Sequence, residues 1–207
     1  MCCRYYILPK GVEWDPIREG AESARVMRRF REAGLRLVTA GEVRPMDLVP
    51  VLATDRGGGQ SVFPMRWGFR LEGPRPTTLI NARVETAAEK PSFREAWAGR
   101  RCAVPASGYY EWDHRQGEDA SAKAGTKYAV EAPAQPILWL CGLYRIERGL
   151  PVFVILTRPP APAVAELHDR MPLILPQSAV SAWVDPSGDP ASLLALAVTR
   201  LAARTAS

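Results

Sequence analysis

The sequence predicts a single α+β domain over residues 1–207 with a mainly antiparallel sheet. Its 207 residues, of which 47% are hydrophobic, are enough for one domain with a substantial core. Apparent strands follow one another through short connections, and the helical segments do not alternate with them regularly. This order argues against a parallel, doubly wound sheet. The 19 prolines are scattered and argue against long uninterrupted helices.

Apolar runs and alternation predict the strands. They fall at Cys3–Leu8, Asp47–Thr54, Ser61–Trp67, Arg101–Val104, Gly108–Asp113, Lys127–Glu131, Ile137–Ile146 and Val152–Leu156. The glycines of Asp55–Gly59 permit the positive φ angles of a tight hairpin. The polar segment His114–Gly125 is also interpreted as a hairpin loop, because it separates two plausible antiparallel strands.

Apolar residues at helical spacing predict short helices between and after these strands. They fall at Glu19–Ala33, Phe93–Ala98, Ala161–Leu167, Gln177–Trp183 and Ala191–Ala203. Arginines cover much of the first of these helices. We interpret them as a solvated face, because basic residues on an amphipathic helix need no ligand.

Charge, hydropathy and cysteine spacing restrict the class of protein. The apolar runs are far shorter than the ~20 residues of a membrane helix, and the first residues do not resemble a secretory signal, so a cytoplasmic protein is expected. The four cysteines show no CxxC spacing, which predicts reduced thiols, no metal and no cofactor. The net charge of +5 comes mainly from arginine and slightly favours a nucleic-acid partner. No protein partner or membrane association is indicated.

The second residue is a cysteine, so removal of Met1 leaves Cys2 with both a free α-amine and a thiol. The amine (pKa about 8) condenses with aldehydes and the thiol (pKa about 8.5) closes a thiazolidine ring, both near neutral pH. The alternative is a small residue after Met1 with no chemical role, as for most cysteines.

Three other segments carry polar groups in patterns that suit chemistry. In the first, Ile80–Thr86, an extended backbone places Asn81, Arg83 and Glu85 on one face, where an amide, a guanidinium and a carboxylate could orient a phosphate or sugar. The alternative is an edge strand with a solvated face, followed by a helix that begins with Glu85 and Thr86.

The second segment, Gly108–Trp112, sets a single carboxylate, Glu111, among aromatic residues. Such surroundings desolvate a carboxylate and raise its pKa toward the range useful for general acid catalysis. Alternation alone is equally consistent with Glu111 on the outer face and with Tyr110 and Trp112 packed inward.

The third segment, Leu167–Pro172, contains His168, one of two histidines in the chain. It follows a predicted helix and precedes a strand, a position where reactive groups are often displayed. A structural role is the alternative for a single loop histidine. The other histidine, His114, lies in the polar loop and is interpreted as solvated.

Taken together, these segments resemble the SRAP family, the SOS-response-associated peptidase domain that covalently captures abasic sites in single-stranded DNA. The resemblance covers nearly the whole chain. Its motifs stand here, in order, as Met1–Arg4, Trp67-Gly68, Asn81–Thr86, Gly108–Trp112 and His168–Pro172. Two departures are Cys3, where the family has glycine, and Thr39–Glu42, where the family has an asparagine-containing segment.

The resemblance implies a mainly antiparallel sheet or open barrel with short peripheral helices, and a cytoplasmic protein that joins the nucleoid during DNA damage. It also implies that Cys2 is the nucleophile, that Glu111 and His168 transfer protons, and that Asn81 orients the cysteine and the sugar. It further implies that Arg4, Arg83 and Arg170 contact DNA phosphates. Trp67 and Gly68 are then expected to form part of the surface against which a neighbouring base packs.

Two other functions remain open at this point. The first is an N-terminal-nucleophile hydrolase, in which Cys2 attacks an amide carbonyl with its own amine as base. Removal of Met1, by the protein itself, is one such reaction, and multiple turnover is left open. The second is a noncatalytic single-strand binder, for which the basic excess suffices.

Overall fold

A computed structural model describes residues 3–9, 11–113 and 125–206. The strands of this part of the chain, β1 to β15, are Arg4–Ile7, Gly41–Val43, Leu48–Thr54, Gln60–Trp67, Phe69–Leu71, Thr77–Leu79, Asn81–Arg83, Arg101–Ala106, Gly108–Asp113, Thr126–Glu131, Leu138–Glu147, Leu150–Arg158, Met171–Pro172, Ile174–Leu175 and Ala202–Thr205. The α-helices, α1 to α7, are Asp15–Ser23, Met27–Glu32, Val84–Ala87, Arg94–Gly99, Pro162–Ala165, Gln177–Val184 and Pro190–Leu193. Single 3₁₀ turns lie at Val12–Trp14 and Leu194–Leu196.

The larger sheet closes into a barrel. Strand β12 pairs with β11 on one side and with β4 on the other, and β3 and β8 complete the ring. All of these pairings are antiparallel except β12 with β4. The predicted α+β class is therefore confirmed, and the sheet that was expected to be an open barrel is closed, because β12 has a partner at each edge.

A second sheet has the strand order β15-β10-β9-β1-β2, and its neighbours are antiparallel. Tyr5 of β1 lies opposite Tyr109 of β9, and both are buried in the core that the sheet shares with the barrel. Strand β9 follows β8 after a single residue, Ser107. This short connection sets the inner face of β9 against the barrel.

The predicted helix Glu19–Ala33 is wrong, because it is two helices. Between α1 and α2, Ala24 adopts an extended backbone with φ −60° and ψ 132°. Ile17 of α1 packs into the main core, whereas Met27 and Phe30 of α2 pack with Leu48 in a separate cluster. Each half buries its apolar face against a different part of the fold, and this tertiary packing overrides local helical periodicity.

The predicted helix Ala191–Ala203 is also wrong over most of its length. Helix α7 ends at Leu193, and Ala202–Thr205 form strand β15. This strand pairs with β10, with Thr205 opposite Tyr128. An exposed strand edge offers a row of unpaired backbone groups, and here the end of the chain satisfies them.

A buried arginine joins the carboxyl ends of α4 and α6. The Arg101 side chain is 1% exposed, and burial lowers its pKa. It donates hydrogen bonds to five backbone carbonyls: Trp97 at 2.7 Å, Ala98, Trp183 and Gly188 each at 2.9 Å, and Asp185. Cationic groups stabilise helix carboxyl ends, whose last carbonyls lack partners within the helix.

Within the described ranges, no helix is both long enough and apolar enough to cross a membrane.

Candidate active site

The Glu111 carboxylate is buried on the inner face of β9. Glu111 is 5% exposed and shares this face with Tyr109 and Asp113, whereas Tyr110 and Trp112 on the other face are partly exposed. Of the two orientations open to the sequence, the structure has the one with the carboxylate inside. Burial raises the pKa of Glu111, and the nearby His168 opposes this rise. Glu111 can therefore hold its proton at a higher pH than an exposed glutamate.

The thiol of Cys3 lies close enough to this carboxylate for the charge of Glu111 to affect its pKa. Cys3 directly precedes β1, whose Arg4 pairs with Tyr110 of β9. Partial burial raises the pKa of the Cys3 thiol, and the negative charge of Glu111 raises it further. Cys2, the predicted nucleophile, lies outside the described residues, so its role remains a prediction.

His168 lies between α5 and β13, and its Nδ1 has two neighbours. The backbone N–H of Arg170 donates to Nδ1 at 3.0 Å, and Oδ1 of Asp169 lies 2.7 Å from the same nitrogen. One nitrogen cannot accept from the amide and donate to the carboxylate at the same time. Nδ1 can accept from the amide only when the ring proton is on Nε2, and it can donate to Asp169 only when Nδ1 itself carries a proton. A donor and an acceptor therefore both lie within hydrogen-bond distance of this nitrogen.

The guanidinium of Arg170 is engaged within the protein. Its Nη1 and Nη2 lie 2.8 Å from the two carboxylate oxygens of Glu85, and Nη2 also donates to the Thr157 carbonyl at 2.6 Å. The hydrogen bonds from Arg170 lower the pKa of Glu85. The side chain of Arg170 is only 12% exposed. This geometry connects the His168 loop to α3 and β12, while the expected phosphate contact of Arg170 remains a prediction.

Strand β7 places Asn81 and Arg83 on one side and buries Ala82 on the other, as alternation predicts. It runs parallel to β12, with Asn81 opposite Ile155. Glu85 does not continue this face, because α3 begins at Val84. The strand forms one wall of a basic cleft, which is lined by Asn81, Arg83, Lys90, Ser92, Thr157 and Arg170.

Arg4 belongs to a cationic network on the outer face of the second sheet. It pairs with Glu42 at 2.5 Å, and Lys127 and Arg44 each approach the same carboxylate to 3.1 Å. Partial burial acts in the opposite direction, but these hydrogen bonds lower the pKa of Glu42 to about 2. Arg4 also lies 5.7 Å from the ring centre of Trp112. Three cations surround one carboxylate, so this face carries an excess of positive charge.

Trp67 lies inside the fold, and Gly68 brings two strands close together. Trp67 is 0% exposed, and its Nε1 donates to the Ile80 carbonyl at 2.8 Å. The ring therefore offers no exposed face on which a base could pack. Gly68 has a φ of 130°, and a Cβ there would lie 2.5 Å from Cγ2 of Thr78. Glycine fits because the backbone needs a positive φ and space for Thr78.

Several residues of this region were not predicted from the sequence. Glu42 lies in Thr39–Glu42, the segment that departs from the family pattern. That departure is the feature of the sequence that could have drawn attention to it. Lys127 lies opposite Trp112 because β10 pairs with β9. Thr157 lies opposite Arg83 because β12 pairs with β7. Long-range strand pairing of this kind leaves no local signal in the sequence.

The fold and this site define a class: single α+β domains in which a buried carboxylate with a neighbouring histidine lies where a barrel meets a second sheet. The family model described as SOS response associated peptidase (SRAP) matches residues 1–206. The chain belongs to this family.

Relatives in bacteria and mammals are named abasic site processing proteins. The chain is 29% identical to YoqW of Bacillus subtilis over 164 residues, which are 74% of this chain and 70% of YoqW. It is 32% identical to YedK of Escherichia coli over 150 residues, 70% of this chain and 65% of YedK. It is 30% identical to HMCES of Mus musculus over 159 residues, 60% of this chain and 45% of HMCES.

Solved structures share the fold. A protein from Bacteroides thetaiotaomicron aligns with a TM-score of 0.71 at 22% identity, over 100% of this chain and 92% of its own. A phage-related protein from Bordetella bronchiseptica aligns with a TM-score of 0.72 at 22% identity, over 99% and 94%.

Proposed function

We propose that this chain processes abasic sites by capturing them covalently in single-stranded DNA, through a thiazolidine formed by Cys2 after Met1 is removed. The observation that carries the proposal is the Glu111 carboxylate, buried beside the Cys3 thiol and near His168. Cys2 directly precedes Cys3 in the sequence. The proposed nucleophile is therefore the sequence neighbour of a residue whose thiol interacts electrostatically with Glu111.

The proposed chemistry balances with the loss of one water. An abasic deoxyribose in its open form presents an aldehyde, and the neutral α-amine of Cys2 adds to its carbon to give a carbinolamine. Glu111, in its protonated form, donates a proton to the departing hydroxyl, which leaves as water and yields a protonated imine. The Cys2 sulfur then adds to the imine carbon, and the thiol proton passes to the Glu111 carboxylate and restores the acid.

His168 serves the opening of the sugar ring in this proposal. Opening requires that a base take the proton of the anomeric hydroxyl while an acid protonates the ring oxygen. The two neighbours of His168 Nδ1, the donor amide of Arg170 and the acceptor carboxylate of Asp169, suit such a relay. Reversal of the crosslink uses the same steps in the opposite order.

The basic groups around the site support a DNA substrate. Arg83, at the end of β7, is exposed and lines the basic cleft. Arg4 lies in the cationic network on the second sheet. Both suit backbone phosphates. Asn81, partly buried in that cleft, is proposed to orient the sugar. A reaction at the sugar needs access that a stacked duplex restricts, which favours single-stranded DNA.

Peptidase and lyase chemistry are finer parts of the same proposal. Hydrolysis of the Met1–Cys2 bond, with Cys2 as nucleophile, would expose the amine and would be a maturation step. The imine also acidifies the neighbouring sugar C2′ protons, so loss of one of them could eliminate the 3′ phosphate before the ring closes.

The test is to incubate the mature protein with a single-stranded oligonucleotide that contains one abasic site. We expect a denaturation-resistant adduct whose intact mass equals protein plus DNA minus one water. Cys2→Ser should abolish the adduct, and Cys3→Ser is the matched control that removes the adjacent thiol. Failure of the wild-type protein to form an adduct, or equal yield from Cys2→Ser, overturns the proposal.

The same assay separates the alternative functions. Protein that retains Met1 has a blocked amine and should bind DNA without forming the thiazolidine. Release of product from a peptide or amide substrate by Cys2, without any DNA adduct, would indicate a hydrolase. Binding of DNA without either reaction would indicate a noncatalytic single-strand binder.

A further inference from the structure

A second basic groove lies at the end of barrel strand β4, beside the two-stranded sheet of β5 and β6. Its walls are the end of β4, strand β5 and the start of β6. It is lined by Met46, Arg66, Gly68, Arg70, Thr77 and Thr78. Two guanidinium groups, two hydroxyl groups and a glycine backbone provide donors that suit a phosphate.

The charges around this groove leave a positive excess. Glu147 is held by Arg145 through Nε at 2.9 Å, and by the backbone N–H of Arg70 at 2.9 Å. Arg66 approaches it only to 3.8 Å. Nε of Arg66 is buried and has no hydrogen-bond partner among the described residues. The charge of Arg66 is therefore only weakly compensated by Glu147, and 27% of its side chain is exposed.

Arg70 is also incompletely neutralised. Its Nε lies 3.3 Å from Glu72, and that carboxylate is shared with Arg148 at 3.2 Å. Half of the Arg70 side chain is exposed. Four arginines thus share two carboxylates here, and neither carboxylate lines the groove.

One short segment of chain separates the groove from the cleft at Asn81. Thr78 lines the groove and Asn81 lines the cleft. Three residues of extended chain span at most about 11 Å, a length comparable with one or two nucleotides. Gly68, a predicted DNA-contact residue, also lines this groove.

We propose that Arg66 and Arg70 form a phosphate subsite for the DNA strand that carries the lesion, on one side of the lesion only. The subsite rests on the proposed function, because it places the captured sugar at the Asn81 cleft. The ligand is a backbone phosphodiester, and the contact is independent of base sequence.

The first experiment measures noncovalent binding of undamaged single-stranded DNA by fluorescence anisotropy over a range of salt concentrations. Each phosphate contact contributes about 0.7 to the slope of log K against log salt for single strands. Arg66→Gln and Arg70→Gln should each reduce that slope by up to about 0.7. Arg66→Lys keeps the charge and should keep most of the slope. The matched control is Arg56→Gln in the turn before β4, at the end of that strand away from Arg66.

The second experiment uses abasic oligonucleotides extended only on the 5′ side or only on the 3′ side of the lesion. Arg66→Gln should slow crosslinking at subsaturating DNA for one of the two, and should match wild type at saturation. Equal slopes for Arg66→Gln, Arg70→Gln and Arg56→Gln overturn the subsite, and so does an equal effect on both oligonucleotides.

Failure of the proposed function gives a different result. If the wild-type protein forms no adduct while Arg66→Gln still lowers the slope with undamaged DNA, the phosphate subsite stands and the covalent function fails. Thermal melting of each variant, expected to match wild type within a few degrees, separates loss of binding from loss of folding.

Discussion

Arg170 and Glu85 form a two-pronged ion pair, in which each Nη of the arginine lies 2.8 Å from a different carboxylate oxygen. The backbone N–H of the same arginine donates to Nδ1 of His168. The pair thereby connects the histidine to the start of α3, which follows directly on Asn81–Arg83. We therefore propose that Arg170 positions His168, as an alternative to a direct phosphate contact.

We expect Arg170→Lys to slow abasic-site crosslinking about tenfold at saturating DNA and to alter its pH profile, because an ammonium cannot reproduce the planar fork. Glu85→Gln should cause a similar loss. If the two residues act as one unit, the double variant should lose no more than either single variant. If the rate losses of the two single variants multiply in the double variant, and DNA binding by Arg170→Lys depends less on salt, a direct phosphate contact of Arg170 is favoured instead.

Glu111→Gln should reduce the crosslinking rate by about 10²- to 10⁴-fold, the usual contribution of a positioned acid or base. It should also raise the melting temperature at pH 7 to 8. Because the folded pKa of Glu111 is raised above its ordinary value of 4.5, folding favours the protonated form, and stability falls as pH rises through the folded pKa. Glutamine does not ionise, so the variant does not lose this stability as pH rises. Melting curves from pH 4 to 8 should show the two proteins converging toward pH 4, and a Gln variant that melts below wild type at pH 8 would contradict the argument.

Glu42→Gln should lower the free energy of unfolding by about 1–2 kcal/mol at pH 7, because the variant leaves Arg4, Lys127 and Arg44 without their shared carboxylate. The folded pKa of Glu42, about 2, lies below its ordinary value of 4.5. Its contribution is therefore complete above pH 4.5 and is lost as pH falls toward 2. Urea titrations at pH 7 and pH 3 should show the difference shrinking at the lower pH, and a constant difference would count against the ionic origin.

Arg101→Lys should destabilise the protein by about 2–4 kcal/mol, because an ammonium has three donors where the guanidinium serves five carbonyls. Arg100→Lys is the matched control, since Arg100 is adjacent in sequence and its side chain is 43% exposed. Urea denaturation measures both. Comparable losses for the two variants would show that burial of Arg101 is not the cause.

Local pattern predicted the central strands well. Asp47–Thr54 and Ser61–Trp67 agree with β3 and β4 to within a residue at each end, and Asp55 caps the turn between them by accepting from the Gly57 N–H at 2.8 Å. The helical predictions failed at Ala24 and after Leu193. At both places the chain follows contacts with distant strands instead of its own periodicity.

By itself, the sequence determined the antiparallel α+β class, the membership of the family and the residue types available for the chemistry: a second-position cysteine, an aromatic-flanked glutamate, and a loop histidine. These depend on local order along the chain, which alternation and motif spacing report directly. Only the tertiary structure decided that Glu111 faces inward beside Cys3, that Trp67 is wholly buried, and that the Arg170 fork is held by Glu85. The reason is physical: which face of a strand is buried, and which charge meets which, depends on pairing between segments that are far apart in the chain.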